Sequence, residues 1–580
     1  LFHERDAERR EGRPARQESG AGFVLDVTIA AALAVAIHVA LYGGFQLGIG
    51  PVRLSARSLT RPLIVCTLLA AGRVMFLRRS GGGIVPAIGR VGFLALFGVL
   101  AGTWFRFAVT SCGGADSYGY VSASRLLRSF QLSYLDPIAD LPLSDPVSAV
   151  TPLGYVAAPD RHTVVPGYPL GLPAVMAAFA GWFGNGAEFY VSPVLATCSA
   201  AVAYRIARVF TDAAGASLSA MLVAAAPIFV NQAIQPMSDV AATFWLLLGV
   251  WLLIRRDGGA TATHVAAGAA AGMAFVTRPA LAIAAGALAL AALALRGRRT
   301  AILFVAAFAP FAIVQALLHW HLYGGVLQSG YGTAAQIFTI QRLPANVASY
   351  VGWLNYSASP LFLPTVLAGA FACGAVRWWA AGVGVFAAVV APYLFYFTYD
   401  NWQDTRFLLP GLAVVLIGCG ITIRNLVARW MPRALVPLAL VAIAYVAAAA
   451  SHRFLDRHHA FALARIEAKY SRVGESIVRS APPRTAVFAF LHSGSVRFYA
   501  GRPTVRWDRL SSHEIAAAVD ALHARGWESW AVVDGPEEGA AFWPKVSEVD
   551  RQLLVEPRER VAGVDVVVLR PRADRTSSNE

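Results

Sequence analysis

The feature that most constrains this chain is a succession of apolar runs between residues 23 and 450, such as "VGFLALFGVLAGTWFRFAV" at 91–109, punctuated by arginine. Many of them reach or approach the roughly 17–25 residues that a membrane-spanning helix needs. In hydrocarbon every backbone polar group must find an internal partner, which leaves helices or a closed barrel. A barrel would show alternating segments of about ten residues, and these runs do not alternate. The chain is 57% hydrophobic and 14% charged, against about 25% charged residues in soluble domains. These observations predict a polytopic α-helical membrane protein.

We place about 13 spans, at 23–44, 59–77, 91–109, 188–207, 215–230, 238–254, 262–277, 279–295, 300–320, 357–375, 378–398, 407–424 and 434–450. The stretch "PLGLPAVMAAFAGWFG" at 169–184 decides the topology. It is short and carries Pro169 and Pro173, so it reads as an interfacial or re-entrant helix on the outer leaflet. Leaving it out of the count puts most later arginines, including Arg205, Arg255, Arg296 and Arg424, on the side of the Arg-rich arm 1–22. Positive charge marks the cytoplasmic side. Arg53, Arg57 and Arg61 are exceptions that fall outside. The expected arrangement has a cytoplasmic N-terminus and two long external segments, 110–187 and 321–356. The first apolar run is longer than a signal-peptide core and has no clear cleavage site, so it reads as a retained helix.

The net charge of +15 would suit nucleic acid, but the arginines punctuate apolar runs as topology signals do, so we expect no nucleic-acid partner. Four of the five cysteines lie inside apolar runs, and no metal or disulfide spacing is present. After residue 451 strands alternate with helices, from "RTAVFAFLH" to "VDVVVLRPR", with Ser511 or Ser512 expected to cap the helix carrying Glu514. This predicts a small extracytoplasmic α/β domain at 451–571 with a helical connector at 451–480, then a polar tail at 572–580. It contains no GxGxxG or P-loop, so nothing points to a nucleotide.

Charged groups at membrane depth are costly, so those at helix ends are candidate functional residues. Asp116 lies in "GADSYGY" just past one span, and Asp239 in "QPMSD" opens another. Arg278 in "TRPAL" occupies a tight hairpin, Arg406 in "TRFLLPGL" begins a span, and His162 lies in "HTVVPGYPLGLP". The topology sets all five at one boundary. Taken singly, either aspartate also reads as a helix cap, the arginines as headgroup anchors, and the tyrosines as an aromatic belt. Asp26 reads as a snorkelled or interhelical residue. His319 and His321 in "HWH" are two apart, on different faces of a helix, and read as packing rather than a metal pair.

Those five segments, in that order, resemble the markers of GT-C glycosyltransferases, in the branch of bacterial relatives of protein O-mannosyltransferases and lipid A aminoarabinose transferases. The resemblance covers about 91–450, a transmembrane catalytic core. It leaves residues 23–90 as two additional N-terminal helices. It implies transfer of a sugar from a polyprenyl-phosphate donor to an acceptor hydroxyl at the external membrane face. By the match, Asp116 is the general base, and Asp239 orients the acceptor or a divalent metal. Arg278 and Arg406 hold the donor phosphate. Tyr118, Tyr120, His162 and Tyr168 line the sugar or acceptor site, and Tyr331 in "GYG" touches the donor. The metal requirement and the acceptor, whether protein, lipid or cell-envelope glycan, stay open.

The chemistry suits that reading. Phosphate is already a good leaving group, so one carboxylate acting as general base suffices. Attack by the hydroxyl then inverts the anomeric carbon, whereas retention needs a second, nucleophilic carboxylate about 5 Å away. The alternative is a transporter or flippase of lipid-linked glycans, which would carry repeated halves and polar groups near the midplane; no internal repeat is evident. A non-catalytic assembly factor is a third reading.

Overall fold

The computed structural model describes residues 20–49, 52–80, 84–255, 261–358, 369 and 376–572. The arm 1–19 and the tail from 573 lie outside them. Among the described residues, nine helices are long and apolar enough to cross a membrane. They coincide with nine of the expected spans, from Gly20–Tyr42 to Val436–Arg457. The protein is thus a multi-pass helical membrane protein.

The other four expected spans differ for local reasons. The 215–230 run is two helices, Ala213–Ala224 and Pro227–Ala233, bent by 66°. Pro227 lacks the N–H that would continue the first helix. Ser238–Ile254 and, among the described residues, Thr261–Thr277 are helices of 17 residues, about 25 Å at 1.5 Å per residue and so at the short end of what a crossing needs. Most of the 357–375 run lies outside the described residues. The stretch at 169–184 forms a 13-residue helix, Gly171–Phe183, about 20 Å long. Trp182 and Phe183 are exposed at its far end.

Asp26 is interhelical. Fully buried on the first helix, it accepts from Arg73 at 2.6 Å and from Arg90 at 2.8 Å. These arginines belong to the next two helices, so one carboxylate ties three helices together.

Segment 110–187 folds over one end of the bundle. It contains the helix Asp116–Arg128 and a three-stranded antiparallel sheet with Thr163–Pro166 in the centre. Segment 321–356 forms the small hairpin Gln328–Ser329/Gly332–Thr333 and most of the helix Leu343–Ala358. The two are joined by the Tyr323 hydroxyl, which donates to the Pro166 carbonyl at 2.8 Å.

Beyond the last span, the chain forms a five-stranded sheet. Its order is Leu553–Val561, Val564–Pro571, Glu528–Asp534, Thr485–Ala489, Thr504–Val505. Glu528–Asp534 pairs antiparallel with Val564–Pro571 and parallel with Thr485–Ala489. The expected cap is Ser511, in a reciprocal capping box with Glu514. The 451–480 stretch is two helices, because the last span continues to Arg457 before Leu463–Ser480 begins. The strand Leu553–Val561 escapes the sequence reading. It is an edge strand that carries Pro557 and alternating charges and shifts register between Pro557 and Glu559, devices that blunt an exposed edge. This domain docks on segment 110–187. Arg497 pairs with Asp136 and donates to the Val150 carbonyl at 2.8 Å, and the Arg506 N–H donates to the Ala149 carbonyl at 2.6 Å.

Candidate active site

At the covered end of the bundle, four segments distant in sequence bring their charges together. Asp116 is the first residue of its helix, behind Ala115, which supplies no side-chain cap. The Asp116 carboxylate does not cap either. Its Oδ1 accepts from the Tyr168 hydroxyl at 2.5 Å, and its Oδ2 lies 3.2 Å from Arg406 Nη2. Gly119, one turn along, leaves room for the Tyr168 ring where a Cβ would overlap it. The Asp116 side chain stays 33% exposed, so it can still meet a solute.

Asp239 differs. It too makes no cap, since Met237 precedes the helix without a side-chain bond. Its side chain is only 2% exposed, and its Oδ1 lies 2.6 Å from Arg278 Nη1. The same Nη1 is 3.4 Å from the Arg406 carbonyl. Arg278 lies over the Phe407 ring at 5.3 Å and the Tyr393 ring at 5.8 Å. Aromatic faces and a fixed carboxylate thus hold its guanidinium rigidly.

Tyrosines complete the wall. The Tyr120 hydroxyl donates to Ser238 Oγ at 3.0 Å, one residue from Asp239. The Tyr120 and Tyr168 rings lie 4.9 Å apart, and Tyr168 meets Tyr331 edge-on at 5.5 Å. Burial, with the Asp116 charge adding to it, pushes the Tyr168 phenol well above its ordinary range. Tyr168 is therefore a hydrogen-bond donor and not a phenolate.

Beside this cluster opens a cavity of about 540 Å³, lined by Tyr120, Ser238, Arg278, Tyr331, Tyr393 and Phe407 among others. Its wall is largely apolar and aromatic, with the Arg278 cation set into it. Such a shape takes an apolar chain with an anionic head.

No protein-family model and no curated protein sequence matches the chain. Solved structures do. ArnT from Cupriavidus metallidurans, bound to undecaprenyl phosphate, matches with a TM-score of 0.52 at 13% identity, over 82% of this chain and 98% of that one. Its apo state matches with a TM-score of 0.52 at 14% identity, over the same 82% and 98%. The chain has the GT-C fold. AglB from Archaeoglobus fulgidus, with an inhibitory peptide and a dolichol-phosphate, matches with a TM-score of 0.47 at 12% identity, over 76% of this chain and 69% of that one.

Within this GT-C fold, Asp116, Asp239, Arg278, Arg406, Tyr120, Tyr168 and Tyr331 gather at one site. Two residues expected to line it lie elsewhere. Tyr118 is buried with its ring 5.6 Å from Tyr155 and packs against Gly494 of the C-terminal domain. It follows Asp116 by two positions on the helix and so leaves on another face. His162 is exposed on the turn between two strands, where its N–H bonds Asp160 Oδ1 at 2.9 Å. Among the described residues, no group of three or more His, Cys, Asp or Glu side chains could hold a metal. Asp239 is committed to Arg278, so the donor set does not fit a metal centre. Ser238, Tyr393 and Phe407 are site residues that the sequence reading missed; Ser238 and Phe407 each adjoin one that it named.

Proposed function

We propose that this protein is an inverting glycosyltransferase that moves a sugar from a polyprenyl-phosphate donor to an acceptor hydroxyl. One observation carries the reading. An accessible carboxylate, Asp116, pairs with Arg406, and the Arg406 carbonyl lies 3.4 Å from Arg278, which is set into the wall of a largely apolar cavity. The carrier's first isoprene units occupy the apolar part, and its phosphate meets Arg278 and Arg406. The acceptor hydroxyl gives its proton to Asp116 as its oxygen attacks the anomeric carbon. The bond from that carbon to the phosphate oxygen breaks, and the arginines hold the charge that grows on the departing phosphate. Inversion follows because Asp239, sealed behind Arg278, is no second nucleophile.

The shared fold with ArnT, and the undecaprenyl phosphate bound in that structure, support a lipid-phosphate donor. The arginine distribution supports a cytoplasmic N-terminus, and with it a site and C-terminal domain on the outer face of a bacterial inner membrane. On this reading residues 91–450 are the catalytic core, 23–90 two helices added to it, and 451–571 an extracytoplasmic domain. The test is sugar transfer in membranes offered a panel of polyprenyl-phosphate sugars together with protein, lipid and glycan acceptors. Transfer from one donor, lost in Asp116→Asn at unchanged expression, supports the proposal. Full activity in that variant, or no transfer from any donor, overturns it.

A further inference from the structure

The cavity has a polar patch that the mechanism leaves unused. The helix Arg298–Tyr323 presents Ala312, Gln315, Ala316, His319 and Tyr323 to it, the i, i+3, i+4 spacing of a single face. Gln315 is 5% exposed, in a wall otherwise dominated by apolar groups. Its Nε2 lies 2.6 Å from His319 Nε2, and His319 Nδ1 lies 3.3 Å from the Val326 carbonyl.

Those two contacts fix the protons. A carbonyl can only accept, so Nδ1 carries the hydrogen of the neutral imidazole and Nε2 accepts. The amide of Gln315 therefore turns its NH₂ to His319 and leaves its Oε1 free. Among the described residues that oxygen has no hydrogen-bond partner, and Gln315 lines the cavity. A buried amide held in one orientation, with one acceptor open to a cavity, asks for a donor from a ligand.

The helices Thr261–Thr277 and Arg298–Tyr323 pack against each other, with Gly268 against Phe304 and Ala307, Gly272 against Phe311, and the Phe275 ring 5.5 Å from that of Phe308. The part of Arg298–Tyr323 that follows these contacts carries Gln315 and His319 into the wall of the cavity that Arg278 also lines. A ligand whose phosphate meets Arg278 therefore shares its cavity with this polar pair.

We infer that Gln315, oriented by His319, is a specificity-determining residue that accepts a hydrogen bond from one hydroxyl of the donor sugar. The inference rests on the proposed donor cavity. A site built to bond a hydroxyl rejects the analogue that lacks it, because its buried polar group is then left unpaired.

The test measures binding of bare polyprenyl phosphate, the glycosylated donor and its monodeoxy analogues to the full-length protein in detergent. Wild type is expected to bind one monodeoxy donor at least about tenfold more weakly than the parent. Gln315→Leu is expected to bind those two alike, with its affinity for bare polyprenyl phosphate unchanged. His319→Phe, which frees the amide to turn, is expected to narrow the same gap and stands in if the leucine variant does not fold. A Gln315→Leu or His319→Phe protein that still discriminates as wild type does overturns the subsite and leaves the donor cavity standing. A wild type that binds neither bare nor glycosylated carrier overturns both.

Discussion

Arg406 Nη2 stands 3.2 Å from Asp116 Oδ2, while the Tyr168 hydroxyl holds the other carboxylate oxygen at 2.5 Å. A general base has to present a lone pair in a fixed direction, and these two partners set it. Tyr168→Phe removes the tyrosine anchor without removing the base. A hydrogen bond to a charged group is worth about 1.5–3 kcal/mol, so turnover should fall by a factor between roughly 10 and 150. The Michaelis constant for the donor should change little, since the bond orients the base and not the carrier. Steady-state transfer by Tyr168→Phe, beside the far deeper loss in Asp116→Asn, checks this. A wild-type turnover number would remove Tyr168 from the mechanism.

The two aspartates should fail in opposite ways. Asp116 is partly exposed, so Asp116→Asn should leave the unfolding midpoint close to wild type. Asp239 is 2% exposed and pairs with an arginine that is itself only 13% exposed. Removing one member of such a pair strands a buried charge, at a cost of about 3–5 kcal/mol. Thermal unfolding of both variants in detergent should show a clear drop for Asp239→Asn alone.

The membrane class was legible because hydrocarbon admits so few solutions, and the site because its charges are rare. Asp116, Asp239, Arg278 and Arg406 stand out of apolar sequence, and the positive-inside rule needs no tertiary information to set them at one boundary. The span count was less legible. Pro227 breaks one run by 66°, because a single proline ends a helix that apolar composition alone would carry on. Tyr118 and His162 show the same limit at the site. Both stand near it in sequence, but helix phase turns Tyr118 toward Gly494, and a strand turn carries His162 to the surface. Gln315 was legible only as a residue of an apolar run, and His319 only as a packing residue, because their meaning lies in what faces them.

The C-terminal domain should act on the Asp116 loop through packing. The Tyr470 ring lies where a Cβ on Gly113 would stand, three residues before the base, and the Cys112 N–H donates to the Tyr499 hydroxyl at 2.9 Å. Gly113→Ala should therefore displace the loop and reduce transfer by at least about tenfold, since small misplacements of reacting groups are expensive. Tyr470→Ala opens the space that the new methyl needs. The double variant should recover much of the activity lost in Gly113→Ala, and a double-mutant cycle on transfer rate would read that coupling. Strict additivity would mean that the domain does not position the loop.

That docking should also loosen in acid. His492 is buried, with its Nε2 3.5 Å from Asp534 Oδ2 and its ring 4.6 Å from Tyr470. Burial pushes the His492 imidazole below its ordinary 6.5 although Asp534 opposes the shift. Between the depressed value and 6.5 the unfolded domain binds a proton that the folded domain refuses, so this stability is full above 6.5 and lost as the pH falls. The neighbouring acids act in other windows. Burial would raise Asp534, but His492 and Lys469 hold it below its ordinary 3.8, so its contribution is lost only at lower pH. Glu467 and Glu538 are raised by burial above 4.5 and act in the opposite sense. Hydrogen exchange in the Leu463–Ser480 helix at about pH 7.5 and about pH 5.5 should show protection falling with acid in wild type. His492→Gln, which has no proton to take up, should flatten that dependence. An equal acid response in the two proteins would overturn the assignment to His492, since none of these carboxylates weakens the fold in that window.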